Sequence, residues 1–144
     1  MSADIIISGR HLDAMYNAAR EAAPFECCGL LGGNCARRVL ALYPLRNVAR
    51  SPQVAYEAAA EDLFAAQRVM RERGERMLAV FHSHPRADDP VPSETDVRLA
   101  FYPAAIYFII GLAGVQPVAN AFRLFEVEQR WERAMYRVVD TNKD

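Results

Sequence analysis

Cysteine is scarce in this chain: Cys27, Cys28 and Cys35 are the three present, with no C-x-x-C pair among them. An odd number at that spacing fits neither a disulfide framework nor a structural zinc site. Long apolar runs are missing as well. No stretch approaches the about 18 apolar residues of a membrane span. The start, "MSADIIISGRHLDAMYNAAREA", offers a three-residue isoleucine run before charge resumes. That is too short for a secretory signal, so the cytoplasm is the expected compartment. Nor is there an excess of either charge, since 17 Lys and Arg face 18 Asp and Glu. A net charge of −1 spread along the chain excludes a broad electrostatic footprint for nucleic acid or an anionic membrane. Repeats, low-complexity segments and a dividing linker are absent, so residues 1–144 read as one domain.

What is present is a regular alternation of elements. Asp4–Ser8 reads as a strand, with Ser8 as the N-cap of a helix whose Leu12, Met15, Tyr16, Ala19 and Ala23 recur at helical spacing up to Pro24. Glu26–Gly33 and Val39–Val48 read as strands, and Pro44 marks the second as an edge or bulge. A short extended piece is expected around Val54–Glu57. A second helix spans Glu61 to Arg73, stopped by Gly74. The continuous apolar run Met77–Phe81 has the look of a strand covered on both faces. A short helix from Ser93 to about Phe101 and three strands, Ala105–Leu112, Val118–Glu126 and Trp131–Val139, complete the chain. The order predicts an α/β fold, a mixed β-sheet with flanking helices.

The apolar run ends in "FHSHP". Side chains alternate along a strand, so His82 and His84 share a face while Ser83 points away. Their Cα atoms stand about 6.5 Å apart, which lets two imidazoles converge on one ion. A third ligand has to come from elsewhere, and the next carboxylates are Asp88, Asp89, Glu94 and Asp96. Asp88 and Asp89 sit in a proline-flanked loop, a poor place to fix a ligand. Ser93 and Asp96 have the spacing of an N-cap and its third helical residue, which also describes an ordinary capping box.

The pattern H-S-H-P, seven residues, S, two residues, D resembles the signature of the JAMM (MPN-plus) metalloprotease family position for position. That family also carries an upstream P-x-E-x-x-G-L-L-x-G, and "PFECCGLLGG" places Glu26 there. Asn47, Pro52 and Tyr56 resemble the segment between the two motifs, so the resemblance runs from about residue 24 to 126. It implies a JAMM/MPN, cytidine-deaminase-like architecture of the bacterial stand-alone type. It implies one Zn²⁺ per chain on His82, His84 and Asp96, with water in the fourth position. Glu26 is then the general base and Ser93 the hydrogen-bond donor to the oxyanion. The implied substrate is a ubiquitin-like or β-grasp sulfur-carrier protein ending in Gly-Gly, cut at a peptide or isopeptide bond. Such a tail suits a narrow channel or addition to a sheet edge.

Rival readings remain in view. A non-catalytic MPN-type interaction module would have lost metal ligands, and every motif position is present here. Two histidines and a carboxylate also suit a non-haem Fe(II) enzyme. A zinc deaminase is excluded, because H-x-E with P-C-x-x-C is absent. Cys27 and Cys28 read as small apolar packing groups rather than catalytic thiols. His11 reads as exposed and idle, and Trp131 as a core or homodimer contact.

Overall fold

The computed structural model describes residues 3–139. β1 (Ile5–Ser8) passes directly into α1 (Gly9–Ala22), because Ser8 Oγ accepts a hydrogen bond from His11 N at 3.1 Å and so caps the helix. His11 is half-buried, with Nδ1 3.1 Å from Ser8 Oγ, so it is neither exposed nor idle. β2 (Cys28–Gly33) and β3 (Val39–Leu45) precede α2 (Ala60–Glu72) and β4 (Arg76–His84). The chain continues through α3 (Glu94–Arg98), β5 (Ile106–Gly111), β6 (Val118–Phe125), β7 (Arg130–Arg133) and β8 (Tyr136–Val139).

Six strands form one mixed sheet in the order β3-β2-β4-β5-β6-β7, in which β4 and β5 are the parallel pair. β3 lies on an edge, where the missing N–H of Pro44 is tolerated. Central β4 and β5 are buried on both faces, which explains their unbroken apolar runs. On one face α1 and β1 bring Met15, Ile5 and Ile7 against Phe81 and Phe108. On the other, Met70 of α2 and Val97 of α3 pack with Leu30, Val80 and Tyr107. Burying each of the large side chains fully is worth about 1.5–3 kcal/mol. His82 and His84 lie on this second face, in step with Val80.

Three expected element boundaries change as well. The last strand is two: β7 pairs antiparallel with β6, while β8 leaves the sheet and pairs parallel with β1. Asp4 makes the break, accepting from Met135 N through Oδ2 at 2.8 Å and donating its own N–H to Met135 O at 2.8 Å. α3 ends at Arg98 rather than near Phe101, as Tyr102 N turns to the Tyr107 hydroxyl at 3.2 Å ahead of Pro103. β2 starts at Cys28, so Glu26 stands outside the strand.

Candidate metal centre

β4 carries both imidazoles to the end of the sheet, and α3 delivers the carboxylate. His82 Nε2 and His84 Nε2 are 3.2 Å apart, and Asp96 Oδ2 lies 3.2 Å from the first and 3.1 Å from the second. Bonds of 2.0–2.1 Å in a tetrahedral zinc site separate ligand atoms by about 3.3 Å. The three donors therefore stand at the spacing of one tetrahedral face. Two imidazoles and one carboxylate are also the donor chemistry that such an ion takes.

α3 is short, and its start is fixed by a reciprocal cap. Ser93 Oγ accepts from Asp96 N at 3.0 Å, and Asp96 Oδ2 accepts from Ser93 N at 2.9 Å. The capping box and the candidate ligand set thus share residues, and neither reading excludes the other. The cap uses a lone pair of Ser93 Oγ and leaves its O–H as a donor. The loop between His84 and α3 is pinned by Asn120, whose Nδ2 donates to Asp89 Oδ1 at 2.8 Å and Pro90 O at 2.9 Å. Gly111 lets that loop approach β5: a Cβ there would meet Ala87 O at 2.4 Å.

Glu26 reaches the centre from the segment before β2. One donor atom each from Glu26, His82 and His84 lie within 4.8 Å of one another. Asp96 makes the 3.1–3.2 Å triangle with both histidines, and Glu26 stands next to them. Glu26 is 5% exposed, and its Oε1 has no hydrogen-bond partner among the described residues. Burial, opposed by the His84 charge and reinforced by Asp96, pushes its carboxyl up to about 7. Asp96 goes the other way. Burial would raise it, but the two imidazoles and Ser93 N–H outweigh that and hold it well below the usual carboxylate range. His84 is desolvated too, yet Asp96 and Glu26 raise it above an ordinary histidine.

The surroundings complete the geometry. The Tyr56 ring stacks on His82, centroid to centroid 4.5 Å, and fixes the plane of that imidazole. Ser83 points to the opposite face, as alternation requires, and there its Oγ accepts from Cys27 N at 2.8 Å. Beside the donors lies an open cavity of about 610 Å³ with mainly apolar walls, including Leu30, Tyr56, Asp96, Leu99 and Phe101. Cys27 and Cys28 are buried, and burial pushes their thiols up to about 11 and about 12. Thiols so held are packing groups, not nucleophiles. Trp131 is 38% exposed with its ring edge-on to Phe122. The work of Ser83 and Asn120 had no local signature, since it depends on which strands become neighbours.

Residues 8–126 match the family described as prokaryotic homologs of the JAB domain. The chain belongs to that family. It is 40% identical over 102 residues to a desampylase of Haloferax volcanii, covering 67% of this chain and 73% of that protein. It is 30% identical over 137 residues to a CysO-cysteine peptidase of Mycobacterium tuberculosis, covering 94% and 84%. A solution structure from Desulfitobacterium hafniense superposes with a TM-score of 0.82 at 34% identity, covering 94% of this chain and 93% of that one. The JAMM resemblance read from the H-S-H-P element and the α/β fold both hold.

Proposed function

We propose that this JAB-domain chain is a zinc-dependent hydrolase that cuts a peptide or isopeptide bond after the C-terminal Gly-Gly of a ubiquitin-like, β-grasp sulfur carrier. The observation that carries this reading is the 3.1–3.2 Å donor triangle with an unpartnered, buried Glu26 oxygen beside it. The names of two relatives, a desampylase and a CysO-cysteine peptidase, support the substrate class. His82, His84 and Asp96 hold the zinc ion. When bound, zinc supplies a Lewis acid that acidifies water and polarises a carbonyl.

Every remaining step belongs to the chain's own side chains. Glu26 accepts the proton of the attacking water and later gives it to the leaving amine. Its near-neutral acidity in the metal-free site suits both directions, and a dication nearby lowers it further. The Ser93 O–H donates to the oxygen that gains charge as the carbonyl becomes tetrahedral, an interaction worth about 2.7–4 kcal/mol in tested cases. Stacked Tyr56 keeps His82 from turning. A Gly-Gly tail has no side chains to hold the carbonyl away from the donor face.

The test is the intact mass of a β-grasp carrier bearing one cysteine after Gly-Gly, incubated with zinc-loaded protein or with its Glu26→Ala variant. Loss of one cysteine residue with the wild type alone is expected. An unchanged mass for this carrier and for lysine-linked conjugates would remove the proposed substrate class.

A further inference from the structure

Because β2 begins at Cys28, no strand ladder fixes the main chain of Glu26. Its N–H donates instead to Pro52 O at 2.7 Å, and its C=O accepts from Asn47 Nδ2 at 2.9 Å. The second Nδ2 proton goes to Ala55 O at 3.0 Å. Asn47 Oδ1 accepts from Ala49 N and from Glu57 N, both at 3.0 Å. These four bonds use the full capacity of a primary amide, two donors and two lone pairs. They also fix its orientation. Turned by half a revolution, the amide oxygen would face two carbonyls and the NH₂ would face two N–H groups.

Ala55 and Glu57 are the residues on either side of Tyr56, and Tyr56 stacks on His82. Val48 N to Glu57 O at 2.8 Å and Ala59 N to Arg46 O at 3.0 Å extend the same seam, around a bridge between Asn47 and Ala58. One amide therefore ties the backbone of Glu26 to the backbone that presents Tyr56. On the far side of Glu26, Ser83 holds Cys27 independently.

We propose that Asn47 is a positioning residue: through one saturated amide it sets where Glu26 stands relative to His82. The proposal rests on the reading of Glu26 as general base and His82 as ligand. With Cys27 N–H still held by Ser83 and Glu26 N–H by Pro52 O, loss of the Asn47 donors releases the Glu26 carbonyl from the Tyr56 segment and lets the two shift relative to each other, while β2 and β4 stay paired. A displacement of about 1 Å at a reacting group costs roughly 100-fold in rate.

Asn47→Asp separates the roles, because it keeps the acceptor and removes both donors. In the metal-free protein, amide exchange at Glu26 is expected to lose protection by about tenfold or more, with Leu30 and Val80 unchanged. Zinc affinity, measured by chelator competition, is expected to fall about 10–100-fold, as when a ligand loses its support. With the carrier substrate, kcat is expected to fall about 100-fold with little change in KM. In a Glu26→Ala background, with zinc held saturating for both proteins, Asn47→Asp is expected to remove nothing further from the residual rate, whereas a general structural role would lower it again. Uncharged Asn47→Ala guards against an effect of the new carboxylate and is expected to give the same selective pattern.

Unchanged protection at Glu26, an additive rate loss, or a uniform loss of protection across β2 and β4 in both variants would each overturn the proposal. A wild type that cuts no carrier would sink the substrate reading alone, since exchange and zinc affinity still report on Asn47.

Discussion

Glu26 is a residue that folding accommodates poorly. A carboxyl with 5% exposure and an unpartnered Oε1 is held neutral up to about pH 7, against an ordinary value of 4.5. The sign follows from proton counting. Between those values the native state binds the extra proton, so metal-free stability falls as pH rises through that window. A shift of this size corresponds to something on the order of 3 kcal/mol. Glu26→Gln cannot ionise and escapes that loss. Chelator-treated Glu26→Gln is expected to melt above the wild type at pH 8 and level with it at pH 4; an equal gap at both would show that ionisation of Glu26 is not what strains the fold. His84→Ala tests the opposite contribution. It removes one corner of the donor triangle, so zinc content by atomic spectroscopy is expected to drop to background, and a full complement would exclude His84 as a ligand.

At the scale of elements, the candidate site was legible where its logic is local. The i, i+2 spacing puts His82 and His84 on one face whatever the neighbours, and a cap with its third helical residue brings Ser93 and Asp96 together by backbone geometry alone. The apolar runs of β4 and β5 showed burial on both faces for the same reason. Illegible were breaks set from far along the chain. The pattern of Trp131–Val139 permits one strand, and Asp4, 131 residues from Met135, cuts it in two. Glu26 likewise sits outside β2 because Pro52, Asn47 and Ser83 draw its segment aside. The Asp4 junction makes its own prediction. Met135 N–H first, then Arg123, hold its carboxyl below the ordinary 3.8. A depressed acid contributes stability that is present above its unfolded value and lost as pH falls through the folded one. Asp4→Asn is expected to cost about 1 kcal/mol at pH 7 by urea denaturation, modest because the pair with Arg123 is about a third exposed. The cost should shrink as pH falls below the ordinary 3.8 and through the depressed folded value, and a cost that stayed constant throughout acid titration would mean that charge plays no part in the junction.

Across the whole molecule, the sheet divides labour between its faces. The face under α1 and β1 is mainly apolar and carries no member of the donor triangle, whereas the other bears His82, His84, Asp96 and the cavity. Phe108 is fully buried on the first face, its ring edge-on to Tyr136 at 5.1 Å. Phe108→Ala is expected to cost about 3–5 kcal/mol of unfolding free energy. Zinc affinity per folded molecule should not change, because strand β4 passes the imidazoles to the opposite side. Zinc binding works in reverse. An ion that binds only the native state stabilises it by about 2.7 kcal/mol at 100 times its Kd, and that increment depends on affinity rather than on the starting stability. Wild type and Phe108→Ala should therefore gain the same free energy from saturating zinc, read as parallel shifts in urea midpoints at equal slope. His84→Ala should gain none. A smaller gain in Phe108→Ala would mean that packing under α1 reaches through the sheet to set the donor spacing, and the two faces would then be one mechanical unit.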